Sequence, residues 1–172
     1  MKLTKNAEIV LRLRYLKKDS KEKVVEKPQD LFKRVAKNIA LADAKYNKKN
    51  VKKTEKEFLQ MMMNLDFMPN SPTLFNAGRP LQQLAGCFVL PINDDIDSIF
   101  NALHQTAVIH KSGGGTGFAF SRLRPRGDIV GTTQGVASGP VSFMKIFDAA
   151  TEQIKQGGKR RGANMGILRV DP

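Results

Sequence analysis

The chain contains a single cysteine, Cys87, within the segment NSPTLFNAGRPLQQLAGCFVLP (70–91). One thiol cannot form a disulfide within its own chain, so Cys87 is a buried thiol, a reactive thiol, or half of a pair completed elsewhere. The apolar run GCFVLP (86–91) stops at a proline and predicts a buried strand. The thiol is therefore expected near the start of a strand, just after a turn-rich loop.

Two glycine-rich loops follow the cysteine. KSGGGTG (111–117) matches neither the GxxxxGK[ST] nor the GxGxxG phosphate-binding pattern. It is either a loop whose backbone N–H groups approach a ligand closely, or a helix C-cap followed by a turn. QGGKRRGANMG (156–166) places three cations between glycines. Because ordering an arginine cluster in such a segment costs conformational entropy, we favour a partner anion there over a solvated basic turn.

Charged residues also flank the first glycine loop. The segment SRLRPRG carries an arginine at every second position, so a strand there would project all three to one face. These arginines are Arg122, Arg124 and Arg126. Asp94 and Asp95 open a predicted helix over 94–111 that leads into the loop. A carboxylate near arginines, beside a nucleotide, would suit recognition of a sugar hydroxyl.

Other chemistry is poorly supported by the sequence. His104 and His110 lie six residues apart, a poor spacing for binding one metal ion together, and no other cluster has metal-ligand spacing. A Cys–His nucleophile pair would involve Cys87 and either histidine, but no third group that would orient the histidine is apparent. The sequence therefore predicts no metal site.

The chain has 172 residues, 41% of them hydrophobic, and a net charge of +13. Residues 1–60 carry 18 Lys/Arg against 8 Asp/Glu, which concentrates the positive charge there. Nucleic-acid binding is one reading of this charge. We favour a lysine-rich solvated surface instead, because the lysines are dispersed among acids and no aromatic residues interleave with them. No apolar run is long enough to span a bilayer and no signal peptide is evident, which predicts a cytoplasmic protein.

Hydrophobic periodicity predicts a helical N-terminal segment, 1–67, and an α/β segment, 68–172. Helices are predicted over 28–46, 54–67, 94–111 and 138–156, and strands over 86–91, 117–125 and 163–170. Thr54 with Glu57, and Ser138, have the positions of N-terminal caps. Two prolines predict extended backbone at Met68 and Ser71. Strands separated by helices of this length predict a largely parallel sheet.

These motifs, in this order, resemble the large subunit of ribonucleotide reductase. The resemblance rests on MPNSPTLFNAG, GCFVLP, HKSGGGTGFAFSRLRPRGDIVG, GVASGPVSFMKIFD and IKQGGKRRGANMGILRVD. It covers essentially the whole chain and is strongest to the adenosylcobalamin-dependent (class II) type. It implies an α/β fold, with an N-terminal helical segment followed by the first strands and helices of a ten-stranded α/β barrel that remains incomplete within 172 residues.

The resemblance also implies roles for individual residues. Cys87 matches a redox-active cysteine that delivers reducing equivalents to the ribose 2′ position and becomes half of a disulfide. The implied substrate-binding residues are Ser71, Thr73, Gly86, Gly113 and Gly114. The implied effector-binding residues are Asp94, Asp95, Ile96, Lys111, Arg122, Arg124, Lys159, Arg160 and Arg161. Residues 157–165 match the loop that relays effector identity to substrate choice.

The implied function is radical reduction of ribonucleotides to deoxyribonucleotides, with allosteric dNTP or ATP effectors and adenosylcobalamin bound mostly by later segments. The implied partners are a ribonucleotide substrate, a thioredoxin-type reductant, a complementary C-terminal portion, and a second copy in the complete enzyme. Relatives continue well beyond the final RVDP and supply the further cysteines. We therefore expect a piece of a split enzyme, a truncated product or an engineered piece, inactive alone.

Three hypotheses remain open at this point. The chain is part of a class II reductase acting with a complementary chain, although a class I enzyme is not excluded by these residues. Alternatively, it is a non-catalytic module that kept only the effector site and needs no contribution from Cys87. The third reading is nucleic-acid binding by residues 1–60.

Overall fold

The computed structural model describes residues 2–131, 133–154 and 161–170. The chain divides into two compact units, Met1–Ala85 and Gly86–Pro172. The sequence placed this boundary after residue 67, but the turn-rich segment that follows packs onto the helices of the first unit. Leu74 and Ala77 are buried in the same apolar cluster as Leu31 and Phe32. The boundary between the units therefore falls just before the strand that carries Cys87.

The first unit is helical. A short helix, α1 (Lys5–Val10), continues directly into a π-helical turn, Leu11–Tyr15. The remaining helices are α2 (Pro28–Ala40), 3₁₀ turns at Leu41–Lys45 and Lys48–Asn50, α3 (Val51–Asn64) and α4 (Ser71–Asn76).

The sequence predicted α2 well, because Pro28 occupies its first turn and its buried residues recur at helical spacing. It misplaced the start of α3, which begins at Val51 rather than Thr54. Thr54 does not cap the helix: its hydroxyl donates a hydrogen bond to the carboxylate of Asp43. Thr54 therefore bonds to Asp43, a side chain outside α3, instead of to the first backbone N–H groups of its own helix.

The prediction of extended backbone at Ser71 is wrong. Ser71 begins α4, and Pro72 lies in the first turn, where its absent N–H costs nothing. Asn70 adopts the extended conformation instead, and its side-chain oxygen accepts a hydrogen bond from the Thr73 N–H at 2.9 Å. A good N-cap therefore outweighs the bias that proline imposes on the residue before it.

The second unit contains the predicted mixture of helices and parallel strands. Its elements are β1 (Cys87–Val89), α5 (Ile96–Lys111), β2 (Gly115–Ala119), β3 (Ile129–Val130), β4 (Gly135–Val136), α6 (Pro140–Gln153) and β5 (Asn164–Ile167). The sheet has the order β1-β2-β5 with both pairs parallel, and β3 and β4 form a separate antiparallel ribbon. Phe118, Phe120 and Phe147 pack together in the core of this unit.

Three local predictions for this unit need correction. The strand predicted over 117–125 ends at Ala119, so Arg122, Arg124 and Arg126 do not share a strand face. Helix α6 is preceded by Gly139 at φ 78° and receives no side-chain cap from Ser138. Strand β1 is not buried: Cys87 is exposed and Val89 is 86% exposed, because both lie on the open face of the sheet, opposite the partly buried Phe88.

A nearly buried carboxylate, Glu26, holds the first unit together. Its side chain is 8% exposed and accepts hydrogen bonds from Arg34 Nε at 2.8 Å and Arg79 Nη2 at 3.3 Å. Arg34 also donates to the carbonyl oxygens of Leu74 and Ala77, next to α4. Burial raises the pKa of Glu26, but hydrogen bonds from Arg34 and from the Lys17 N–H, with both positive charges, outweigh it. The pKa therefore lies below its ordinary value.

In the second unit, a chain of hydrogen-bonded polar side chains joins α5, β2, β5 and α6. His110 Nε2 lies 2.9 Å from Thr116 Oγ1, which donates to Asn164 Oδ1 at 2.8 Å. Asn164 Nδ2 in turn donates to Thr151 Oγ1 at 2.7 Å. Because the one hydroxyl proton of Thr116 points to Asn164, the neutral imidazole must carry its proton on Nε2.

His110 is 1% exposed, and its Nδ1 has no hydrogen-bond partner within the part of the chain that the structure describes. Burial lowers the pKa of His110, and the backbone of Ala163, which would accept a hydrogen bond from the charged ring, opposes this only in part. The neutral ring is thus the form that the fold stabilises. Among the described residues, no helix is both long and apolar enough to cross a membrane.

Replacing Glu26 with glutamine should destabilise the chain by about 3 kcal/mol, because two buried guanidinium groups would then face no anion. The measurement is urea unfolding followed by circular dichroism. Glu57→Gln is the matched control, since Glu57 is 57% exposed and pairs with Lys53 at 3.9 Å on the surface of α3. The control should cost at most about 0.5 kcal/mol. Equal losses in the two variants would contradict the role assigned to Glu26.

Stability of the second unit should fall as the pH drops below about 6.5, the ordinary pKa of histidine. Below this pH the histidine of the unfolded chain binds a proton, whereas buried His110 stays neutral. The stability that neutral His110 contributes is therefore fully present above the unfolded pKa, and it is lost as the pH falls toward and through the lower folded pKa. Thermal unfolding between pH 7.5 and 5 measures this effect. His110→Gln keeps a donor to Thr116 and should flatten the pH dependence, whereas exposed His104→Gln should leave it as in the wild type.

Candidate functional site

Cys87 begins β1 and lies opposite Gly115 of the central strand. The carbonyl of Gly86 accepts a hydrogen bond from the Gly115 N–H at 2.8 Å, which fixes the backbone just before the thiol. The thiol itself is exposed, and its redox role stays a prediction. The sequence located Cys87 correctly at a strand start, but it did not predict that this strand would lie at a sheet edge.

The glycines after α5 have packing roles in this structure. Gly113 has φ +83° and its N–H donates to the carbonyl of His110, which closes the helix. At Gly114, a Cβ atom would lie 2.5 Å from Ile109 Cγ2 and 2.9 Å from a ring carbon of Phe88. Gly114 therefore lets the loop lie close to β1, the strand that carries Cys87. Their contact with a substrate stays a prediction.

A cavity of about 410 Å³ lies in the second unit between the start of α5 and the β3–β4 ribbon. Four residues predicted to bind an effector line it: Asp94, Asp95, Ile96 and Arg124. The sequence did not identify the rest of the lining, which includes Leu123, Val130, Val136, Ala137, Ser138, Gly139 and Phe143. The two-residue strands of the ribbon leave no periodic signal, so only the folded chain reveals this wall.

The charged groups at the mouth of this cavity bond to one another. Asp94 accepts hydrogen bonds from Arg124, at 2.7 Å from Nε and 3.2 Å from the backbone N–H. Both side chains remain about one-third exposed. Asp95 caps α5 by accepting from the Ser98 N–H at 2.6 Å. The arrangement offers carboxylate oxygens to hydroxyl donors and a guanidinium group to an anion, over apolar walls.

The structure does not gather all the predicted effector residues. Lys111 lies at the far end of α5, a 16-residue helix about 24 Å long. Arg122 is exposed and donates to Asn93 at 3.1 Å, and Arg161 lies 3.7 Å from Glu152. None of these three lines the cavity. Lys159 and Arg160 lie outside the described residues.

The predicted substrate residues of the first unit are held by hydrogen bonds to other residues of the same unit. Ser71 Oγ lies 3.0 Å from the hydroxyl of Tyr15, a residue that sequence reasoning missed. No periodic or motif signal links these positions, which are 56 residues apart. Thr73 is buried, and its hydroxyl donates to the carbonyl of Leu84 at 3.2 Å. Within the described residues, no group of three His, Cys, Asp or Glu side chains is placed to bind a metal ion.

Comparison with known proteins agrees with the two units. Residues 1–82 match the all-alpha domain of ribonucleotide reductase, and residues 85–171 match its barrel domain. Among curated relatives, the vitamin B12-dependent ribonucleoside-diphosphate reductase of Thermoplasma acidophilum is 48% identical over 98% of this chain. The enzyme of the same name from Mycobacterium tuberculosis is 47% identical over 99% of the chain. The ribonucleoside-diphosphate reductase subunit alpha of Bacillus subtilis is 31% identical over 90%.

The chain spans 29% of the length of the Thermoplasma relative and 25% of the Mycobacterium relative. Both family matches together cover nearly every residue, in the order all-alpha domain and then barrel domain. The chain therefore belongs to the ribonucleotide reductase large-subunit family.

Proposed function

We propose that this chain supplies the substrate-phosphate segment, one reducing thiol and the effector cavity of a B12-dependent ribonucleoside-diphosphate reductase. The observation that carries the proposal is the convergence of Asp94, Asp95, Ile96 and Arg124 on one cavity in a chain of this family. The names of two relatives that cover nearly the whole chain support the B12-dependent type and a diphosphate substrate.

In this proposal Cys87 is a two-electron reductant together with a second thiol. The C2′–OH bond of the ribose breaks and the oxygen leaves as water. Two thiols supply the two electrons and two protons that replace the hydroxyl with hydrogen, and their sulfurs join as a disulfide. Since Cys87 is the only cysteine among these 172 residues, the second thiol must come from another segment or chain. A thioredoxin-type dithiol would then restore both thiols by exchange.

Adenosylcobalamin, when bound, supplies the radical chemistry that starts the reaction. We assign the cofactor mainly to the rest of the enzyme, because this chain spans only 29% and 25% of the length of the two B12-dependent relatives. The task of this chain is then to hold the nucleotide and present the thiol. Exposure of Cys87 at the edge of a three-stranded parallel sheet is consistent with further strands completing a ten-stranded barrel around it.

The cavity at the start of α5 suits a deoxynucleoside triphosphate effector. Asp94 and Asp95 offer oxygens to sugar hydroxyls, Arg124 offers a guanidinium group to phosphate, and Ile96 and Phe143 offer apolar surface to a base. Residues 157–165 would connect this site to substrate choice. We also propose that the complete enzyme is a homodimer in the cytoplasm, where a thiol that cycles through a disulfide can be reduced again.

Cys87→Ser should lower the rate of multiple-turnover CDP reduction by at least about a thousandfold, since serine cannot form the disulfide. The enzyme for this test is reconstituted from this chain and the remaining segments. Deoxynucleotide formation with a dithiol reductant measures the loss. Val89→Ser is the matched control, because it places serine on the same face of the same exposed strand. Turnover by Val89→Ser should stay near that of the wild type.

Two results would separate the competing functions. If the reconstituted wild type makes no deoxynucleotide yet the chain still binds dNTPs, the chain is a non-catalytic regulatory module. If Cys87→Ser turns over as fast as the wild type, Cys87 is not the reductant and the catalytic proposal fails.

Asp94→Asn should weaken binding of a deoxynucleoside triphosphate to the full chain by about tenfold. The change removes the carboxylate that orients Arg124 and that would accept a hydrogen bond from a sugar hydroxyl. Isothermal titration calorimetry measures the affinity, and circular dichroism checks that the fold survives. Asp97→Asn changes an exposed acid in the first turn of the same helix and should bind as the wild type does. Equal affinity for all three proteins would exclude the cavity as the effector site.

A further inference from the structure

Tyr15 approaches a residue proposed to bind substrate from a distant part of the sequence. It ends the π-helical turn that follows α1, and its hydroxyl lies 3.0 Å from Ser71 Oγ at the first turn of α4. π-helical turns are uncommon and are frequently found at functional sites. The contact joins two elements that no local pattern connects.

The position of Tyr15 is fixed through its ring and through its backbone. Its ring stacks on Phe75 with centroids 4.5 Å apart and planes inclined by 12°. Its carbonyl oxygen accepts a hydrogen bond from Arg79 Nη2 at 3.1 Å, and Arg79 is itself held by Glu26. The next residue, Leu16, is buried in the core of the unit. A side chain held in this way can set the direction of its neighbour's hydroxyl.

The direction of the hydrogen bond between Tyr15 and Ser71 decides which hydroxyl keeps a proton for a ligand. Two hydroxyl groups carry two protons, and the bond between them uses one. The phenol is the more acidic of the two, so Tyr15 is the better donor and Ser71 the better acceptor. Ser71 then keeps its own proton for a third oxygen, and its donor strength is increased by the bond that it accepts. Ser71 is only half-buried, so a ligand oxygen can reach it.

We propose that Tyr15 is a positioning residue for the substrate: it orients the Ser71 hydroxyl so that its proton points at a phosphate oxygen of a ribonucleoside diphosphate. The inference rests on the proposed function, in which Ser71 contacts the substrate phosphates. Tyr15 itself acts through Ser71 and touches no reacting atom. It extends the substrate-binding part of the first unit back to its N-terminal turn.

The test is a double-mutant cycle in the reconstituted reductase with CDP as substrate. Tyr15→Phe keeps the ring on Phe75 and removes only the hydroxyl. It should raise the KM for CDP about fivefold to tenfold with kcat nearly unchanged, the loss expected for one hydrogen bond, because the Ser71 hydroxyl would no longer be oriented toward the phosphate. Ser71→Ala should raise KM at least as much. The double variant should be no worse than Ser71→Ala, since Tyr15 acts only through Ser71.

Tyr46→Phe is the matched control, because Tyr46 is the other tyrosine and is 90% exposed. Its KM should equal that of the wild type. A purely structural role for Tyr15 would lower the amount of active enzyme and hence kcat, with no rise in KM.

The outcomes separate this inference from the function on which it rests. A wild-type enzyme without reductase activity would overturn the proposed function and the role of Tyr15 with it. An active enzyme in which Ser71→Ala raises KM but Tyr15→Phe does not would overturn the role of Tyr15 alone. Losses that multiply in the double variant would also overturn it, because they would show that the two hydroxyls act independently.

Discussion

The carboxylate of Glu26, shared between Arg34 and Arg79, is the interaction on which the first unit depends. Each arginine reaches a different segment: Arg34 binds carbonyls next to α4, and Arg79 binds the carbonyl of Tyr15. A nearly buried charge is costly unless it is fully paired, so these segments must come together for the carboxylate to be satisfied. The same pairing that stabilises α4 also holds Tyr15 in place beside Ser71.

In the second unit, the central strand β2 has the corresponding organising role. It pairs with β1 on one side and β5 on the other, and its Phe118 enters the aromatic core while Thr116 joins the polar chain from His110 to Thr151. Close packing at Gly114 brings β1 near the end of α5. Strand β2 thus connects β1, which carries the thiol, with β5.

The two chemical features of the second unit are built differently. The thiol is exposed on β1, the edge strand of the β1-β2-β5 sheet. The cavity is assembled within the unit from a helix start, a turn and a two-stranded ribbon, and its acidic and basic groups already bond to one another. The cavity is therefore complete within this unit, whereas the thiol lies on an exposed strand.

The sequence by itself determined the family, the helix–strand order, the parallel pairing and the position of Cys87, because these follow from periodicity, proline and glycine positions and extended motifs. Tertiary structure decided the rest. It moved the boundary between the units to Ala85, turned Ser71 into the start of a helix, and paired Asp94 with Arg124. It alone brought Tyr15 to Ser71. Contacts between distant residues depend on how elements pack, and packing leaves no periodic trace in a single sequence.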